Sequence, residues 1–116
     1  MMKETIKTII EWSEQTFPDA TLDGQLRKFE DEYHEYFEAR EHGERIKELA
    51  DLFIVALSIC RFGLDEGLYY LHQAWKIYEG SPYSLGNVCY NIQEKMKTNR
   101  SRKWEKKDGR YQHVGE

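Results

Sequence analysis

The sequence predicts an all-α protein, and two observations support that prediction. Glycine and proline are sparse, at 8 and 2 of 116 residues. Apolar side chains recur at the three- and four-residue spacing of amphipathic helices, and no stretch alternates apolar and polar residues as a strand does. A chain of this length forms one domain with one modest core. We therefore expect residues 1–116 to form a single domain that resembles a four-helix bundle, with an extra helix around 66–79 and a polar tail over 105–116.

Turn-forming residues delimit the first three helices. An amphipathic helix over 3–16 ends before Phe17-Pro18, because the residue that precedes proline is disfavoured in the α region. The second helix begins after Thr21, whose hydroxyl is a suitable N-cap. We expect it to end at Gly43, since glycine is the preferred residue just past a helix C-terminus. The third helix then runs on to Gly63.

The second half of the chain contains two further helical segments. One covers 66–79, with Asp65 as its N-cap, and it carries several aromatic residues. Gly80-Ser81-Pro82 interrupts it, and the last helix begins after Ser84. Beyond that helix the composition becomes polar, and Asp108-Gly109 predicts a tight turn.

Four carboxylates stand out on the second and third helices. Glu32 and Glu35 are three residues apart on one helix, and Glu48 and Asp51 are three apart on the next, so each pair shares a face. If the two helices are antiparallel neighbours, all four side chains converge. An unpaired buried charge costs several kcal/mol, so such a cluster predicts a site for Mg²⁺, or Mn²⁺ as a substitute. The alternative is an ordinary solvated face, which is how most acidic residues on helices occur.

A second set of polar residues follows the last helix. Lys95, Asn99 and Arg102 fall on one line, where they suit the binding of phosphate and sugar. Basic residues near a helix C-terminus are also ordinary complements of the helix dipole. The two sets belong to a wider segregation of charge, with nine acids against three Lys or Arg over 30–51, and eight Lys or Arg against two acids over 95–110.

Membrane insertion and secretion are not expected from this sequence. The longest apolar run, Leu49 to Cys60, contains Asp51 and is much shorter than the roughly 20 residues of a membrane span. The N-terminus enters a polar helix directly, without the apolar segment of a signal peptide. Cys60 and Cys89 lie among apolar residues, which favours buried free thiols in a reducing compartment. We therefore expect a cytoplasmic protein.

These motifs resemble a known signature. The segment from Lys28 to Glu35, followed after twelve residues by Glu48-Leu49-Ala50-Asp51, resembles the paired carboxylate motifs of the MazG-like all-α nucleotide pyrophosphohydrolases. The segment from Lys95 to Trp104 is similar to the Lys-Met-x-x-Asn-x-x-Arg segment that closes the site in that family. The sequence departs from the signature at Asp31, which stands where the family has a glutamate.

The resemblance implies a MazG-type fold and hydrolysis of a nucleoside triphosphate to the monophosphate and pyrophosphate. It implies that Glu32, Glu35, Glu48 and Asp51 are the catalytic residues and hold Mg²⁺. Binding of the substrate is expected from the following residues: Lys28, Lys95, Asn99, Arg102 and Trp104. Lys28 either reaches a phosphate or balances the acids. Trp104 either stacks on the base or packs in the core, as do Trp12 and Tyr33.

Two other functional classes stay open at this point. One is a non-enzymatic dimeric helical protein whose acidic and basic ends pair with each other. The other is a nucleic-acid binder that uses the basic segment 95–110, although an acidic protein with a net charge of -4 repels a long phosphate backbone. The aromatic residues of 66–79 lack enough partners in one small chain, so we also expect a homodimer or homotetramer. The family resemblance implies the same.

Overall fold

Five helices and a β-hairpin are found in the part of the chain that the computed structural model describes, residues 3–108 and 110–114. The elements are, in chain order, α1 Ile6–Thr16, α2 Leu22–Glu38, α3 His42–Ile59, a 3-10 turn Cys60–Phe62, α4 Leu64–Glu79, α5 Leu85–Ser101, β1 Lys103–Lys107 and β2 Arg110–Val114. The predicted helical character is confirmed. The hairpin at the C-terminal end was not predicted.

The central element is α3. Leu49, Leu52 and Ile59 are fully buried, and nearly the whole second half of the helix is apolar. Helices α1, α2, α4 and α5 all pack against it. Even so, within residues 3–108 and 110–114 no helix combines the length and the apolar content needed to cross a membrane.

Side-chain caps fix two of the helix starts where the sequence predicted them. The Thr21 hydroxyl accepts a hydrogen bond from the backbone N–H of Gly24 at 3.1 Å, and Ser84 does the same for Asn87 at 3.1 Å. The prediction that Asp65 caps α4 is wrong. Gly63 is the N-cap, and Asp65 lies in the first turn, where its carboxylate complements the helix dipole.

The break between α2 and α3 comes earlier than predicted. Helix α2 ends at Glu38, and Ala39 leaves the helical conformation with ψ 134°. Ala39 is only 5% exposed, and its carbonyl oxygen accepts a hydrogen bond from Arg45 Nη2 at 2.6 Å. This anchored connection ends the helix, so Gly43 is not a C′ residue and lies inside the first turn of α3.

The expected polar tail over 105–116 is instead, as far as residue 114, an antiparallel hairpin in which Trp104 pairs with His113. Asp108 takes a left-handed conformation (φ 54°), which agrees with the predicted turn, while Gly109 lies outside the described residues. The hairpin depends on tertiary contacts. The Tyr111 ring packs on Phe17 with centroids 4.6 Å apart, and the Tyr111 hydroxyl donates a hydrogen bond to Asp19.

Helix α4 buries only part of its aromatic surface. Tyr70 and Tyr78 pack against the main core, so the expectation that they lack partners within the chain is wrong. Tyr69 and Trp75 are 57% and 41% exposed. Leu64, Leu68 and Trp75, at spacings of four and seven residues, form an exposed apolar stripe on the outer face of this helix, and Tyr69 lies about a quarter turn away from it.

The two cysteines differ in environment. Cys60 is half-buried against α4, where a Cβ added to Gly67 would come within 2.8 Å of its sulfur. Burial raises the pKa of the Cys60 thiol. Cys89 is exposed on α5, so the expectation that both thiols are buried is wrong for this one.

An ion pair joins the segment before α1 to α5. Arg100 donates two hydrogen bonds to the Glu4 carboxylate, at 2.6 and 2.8 Å, and the Glu4 side chain is 5% exposed. Gln93 pairs with the backbone N–H and carbonyl of Glu4, at 2.8 and 3.0 Å. The hydrogen bonds from Arg100 hold the pKa of Glu4 below its usual value.

We expect Arg100→Ala to lower the free energy of unfolding by about 1.5–3 kcal/mol, the usual contribution of hydrogen bonds to a charged group. Lys97→Ala is the matched control, because Lys97 pairs with Glu94 on the same helix but at the surface. Its effect should be about 0.5 kcal/mol or less. Urea unfolding at neutral pH measures both, and equal losses in the two variants would contradict the importance of the Glu4 contact.

Candidate functional site

A cavity of about 450 Å³ opens between α2, α3, α5 and the hairpin. Its lining combines charged, polar and aromatic side chains. The residues that line it are Trp12, Phe17, Gln25, Lys28, Glu32, Glu35, Glu48, Asp51, Ile54, Val55, Ser58, Lys95, Asn99, Arg102, Trp104, Tyr111, Gln112 and His113. Every predicted catalytic and substrate-binding residue is among them, whereas Tyr33, one of the candidates for stacking on the base, is not.

Helical periodicity explains why one side of each long helix faces the cavity. Gln25, Lys28, Glu32 and Glu35 follow one another at steps of three and four residues, so they form one line along α2. On α3 the lining residues Glu48, Asp51, Val55 and Ser58 have the same steps, and Ile54 lies beside this line. Because a short connection joins α2 and α3, the two lines run in opposite directions. The carboxylates of the two helices therefore lie close together at one end of the cavity.

Three of the four predicted carboxylates come close together. Glu32, Glu48 and Asp51 each offer one oxygen, and these oxygens lie within 4.8 Å of one another. Glu35 is exposed at the rim, where it also lines a smaller neighbouring cavity with Asp31. The structure thus separates a half-buried group of three acids from a fourth at its edge.

Burial changes the protonation of this group. It is the main cause that raises the pKa of Glu32 to about 9 and that of Glu48 to about 7, with the negative charge of Asp51 adding to both. The pKa of Asp51 is also raised by burial, and Lys95 partly opposes that shift. Glu32 Oε2 and Glu48 Oε2 are buried and have no hydrogen-bond partner among the N–H and hydroxyl groups of the described residues, and the only hydrogen bonds open to them are protons shared among the carboxyls themselves.

These observations fit a divalent cation. Carboxylate oxygens are the ligands that Mg²⁺ and Mn²⁺ prefer. Ligands about 2.1 Å from one ion lie within about 4.2 Å of one another, so a group spread over 4.8 Å needs only small side-chain movements. A cation would also satisfy the two buried oxygens of Glu32 and Glu48.

Positive side chains stand beside the acids in the same cavity. Lys95 Nζ lies 3.3 Å from Asp51 Oδ2, and both side chains are mostly buried. The charge of Lys28 lowers the pKa of Glu32, against the larger effect of burial. Arg102, half-buried at the end of α5, is the third positive side chain that lines the cavity beside the acids. The site therefore presents negative and positive groups to one volume.

Asn99 and Trp104 connect the charged residues with the aromatic side of the cavity. We call this side, which is formed by Trp12, Phe17, Trp104 and Tyr111, the aromatic wall. Asn99 is 7% exposed, and its backbone carbonyl accepts a hydrogen bond from Trp104 Nε1 at 3.2 Å. The Trp104 ring meets Phe17 and Trp12 edge to face, with centroids 5.1 and 6.2 Å apart. Trp104 is thus both a packing residue and part of the cavity surface. Tyr33, the third aromatic candidate, lies outside the cavity and contacts Phe37.

Sequence reasoning missed several lining residues. Gln25 and Ser58 were detectable, because each lies seven residues from a predicted carboxylate on the same helix and therefore on the same face. Tyr111, Gln112 and His113 were not, because nothing in the sequence predicted the hairpin that brings them back over the helices.

Comparison of the chain with models of protein families, with characterised proteins and with solved structures finds no match.

We expect the stability of the metal-free protein to fall as the pH rises. Glu32 and Glu48 bind protons more tightly in the folded state than in the unfolded chain, whose value is near 4.5. Their contribution is complete below that pH, and it decreases as the pH rises towards about 7 for Glu48 and about 9 for Glu32. Melting temperatures in EDTA between pH 5 and 9 measure the trend.

Glu32→Gln should flatten this pH dependence, because the amide cannot ionise. Asp23→Asn is the control on the same helix, since the Asp23 side chain is 82% exposed and outside the cavity. A stability that is constant or rises over this range in the unsubstituted protein would contradict the burial of the acids.

Proposed function

We propose that the protein hydrolyses a nucleoside triphosphate to the monophosphate and pyrophosphate, with Mg²⁺ or, as a substitute, Mn²⁺. The observation on which this rests is the group of Glu32, Glu48 and Asp51, with oxygens within 4.8 Å, in a cavity that Lys95 and Arg102 also line. The reaction would serve nucleotide pool control or the removal of unwanted nucleotides.

The mixture of charges favours a metal-complexed polyphosphate over simpler ligands. A free anion would be repelled by the three acids, and a cation held by those acids would not use the positive charges of Lys28, Lys95 and Arg102. A triphosphate with its metal ion presents both signs together. The resemblance of the sequence to MazG-like pyrophosphohydrolases supports the same reaction, although the family assignment is itself part of this proposal.

The basic segment supports this proposal over nucleic-acid binding. Lys95, Lys97, Arg100 and Lys106 all form ion pairs with acidic side chains of the same chain. Each such pair reduces the charge that a phosphate backbone would meet. The basic residues of 95–110 are thus partly neutralised by this fold.

The residues that line the cavity would have distinct roles in this reaction. Glu32, Glu48 and Asp51 would hold the cation, with Glu35 at the rim as a further ligand. When bound, the cation would neutralise the triphosphate and lower the pKa of the attacking water. Lys95 and Arg102 would stabilise the negative charge on the departing pyrophosphate. Lys28 and Asn99 would position phosphate and sugar, and the aromatic wall with Trp104 would exclude water.

The direct test is an assay of pyrophosphate release with Mg²⁺ across the dNTPs and NTPs. Asp51→Asn and Glu35→Gln should each lower kcat by about 10²–10³, because a charged contact of the reacting centre is lost. Glu44→Gln is the control, since Glu44 is exposed in the first turn of α3 and lies outside the cavity.

Glu35→Gln should leave the metal-free fold at least as stable as before, because Glu35 is exposed at the rim and the substitution removes one of several like charges. Activity within about tenfold of the unsubstituted protein in both site variants would contradict the site. The absence of pyrophosphate release from every triphosphate would contradict the reaction.

We also propose that the protein forms a homodimer or homotetramer in which the outer face of α4 is an interface. Leu64, Leu68, Tyr69 and Trp75 are exposed on this helix, and exposed apolar clusters of this kind commonly mark interfaces.

Light scattering over a concentration series should give a mass at least twice the monomer mass of 13.9 kDa. Leu68→Glu should shift the mass towards the monomer, because it places a charge in the buried face. Ile6→Glu is the control, since Ile6 is 64% exposed on α1. A monomer of the unsubstituted protein at micromolar concentration would contradict this proposal.

A further inference from the structure

Gln25 is a mostly buried polar side chain that lines the cavity. It is 7% exposed, and its side-chain amide forms no hydrogen bond with any residue in the described ranges. The amide atoms are not among the fully buried polar atoms that lack a partner, so the cavity reaches them. The amide is therefore available to whatever enters the cavity.

The position of Gln25 places it away from the carboxylates. It precedes Glu32 by seven residues on α2, which corresponds to about 10 Å at 1.5 Å per residue. Ser58 follows Asp51 by seven residues on the antiparallel α3, so it reaches the same end of the cavity. The Ser58 hydroxyl donates to the carbonyl of Ile54 at 2.9 Å, which leaves its oxygen lone pairs for a further donor.

Aromatic rings line the same cavity, and Trp12 and Phe17 pack in one cluster with Ile54 and Leu57, which precede Ser58 on α3. Trp12 and Phe17 line the cavity from α1 and the turn after it, and Trp104 and Tyr111 line it from the hairpin. Their edge-to-face and tilted contacts hold the rings in place. Fixed rings beside an unpaired amide are the chemistry that recognises a flat heteroaromatic group, and stacking of one base contributes about 1–3 kcal/mol.

We propose that this end of the cavity is a nucleobase subsite and that the Gln25 amide contacts the hydrogen-bonding edge of the base. The inference rests on the proposed function, which places the phosphates at the carboxylate end. The sugar then lies between the base subsite and the carboxylate end of the cavity, beside Lys28 and Asn99. Gln25 is in this view a residue that determines base preference, and the acids and cations determine the reaction.

The amide group has a distinct hydrogen-bonding capacity. It offers two donors and one acceptor, so it suits a base edge with a donor beside an acceptor. A carboxylate in its place offers acceptors only and suits two adjacent donors, which guanine presents at N1 and its exocyclic amine. Gln25→Glu should therefore move the base preference towards guanine. Gln25→Leu has neither donor nor acceptor and should weaken discrimination.

The experiment measures kcat/KM for pyrophosphate release from the four dNTPs in the unsubstituted protein, Gln25→Leu and Gln25→Glu. For the preferred base, Gln25→Leu should lose about two- to tenfold, the contribution of one or two neutral hydrogen bonds. Gln25→Glu should raise the rank of dGTP. Gln15→Leu is the control, because Gln15 is exposed on α1 and outside the cavity. An unchanged ranking in both site variants overturns the inference even if hydrolysis is confirmed.

A second measurement separates this inference from the proposed reaction. Nucleosides without phosphates, titrated in EDTA, should quench the fluorescence of Trp12 and Trp104, and Gln25→Leu should weaken that binding. If no triphosphate is hydrolysed but nucleosides bind in a manner that depends on Gln25, the proposed function fails and the base subsite stands. If no nucleoside binds at high concentration, the base subsite fails.

Thermal melts test whether the Gln25 amide has a structural role. Replacement of an unpaired buried amide by an apolar side chain of similar size should leave the melting temperature equal or higher. A large decrease in Gln25→Leu would show that the amide has a structural partner in the protein, and it would overturn the inference.

Discussion

The burial of three like charges between α2 and α3 is the constraint on which this structure depends. Glu32, Glu48 and Asp51 occupy positions at the edge of the apolar stripes of their helices, where the same packing that buries the leucines of α3 also takes the acids out of water. Such a group is unfavourable in isolation. The fold accommodates it by proton binding, by the contact of Asp51 with Lys95, and by leaving a cavity in which a counter-charge can be held.

The remaining contacts can be understood as support for that arrangement. Arg61 donates hydrogen bonds at 3.0 Å to the carbonyls of Ser13 and Phe17, which fixes the end of α1 beside the cavity. The ion pair of Glu4 with Arg100 fixes the other end of α1 to α5. Two arginines outside the site thus help to position the aromatic residues of the cavity relative to the acids.

Features that depend on contacts between residues close in sequence could be predicted, and most features that depend on contacts between distant residues could not. The caps at Thr21 and Ser84 and the lines of charged residues were predictable, because caps and helical periodicity involve neighbours within one or two turns. The end of α2 was not, because the burial of Ala39 and its contact with Arg45 depend on tertiary packing that outweighs the preference for glycine at Gly43. The hairpin was missed for the same reason, since Phe17 and Asp19 hold it from a distant part of the chain. The function proposed from the sequence stays a prediction.

The link between Asp19 and Tyr111 has a consequence for the order in which the molecule folds. The two residues are 92 positions apart, and Glu4 and Arg100 are 96 apart, whereas α2 and α3 meet across a short connection. Closing loops of that length is entropically costlier than closing a helical hairpin, so the α2–α3 pair is the natural nucleus and the hairpin docks late. We therefore expect the hairpin that covers the cavity to have a lower local stability than the α2–α3 pair that carries the acids.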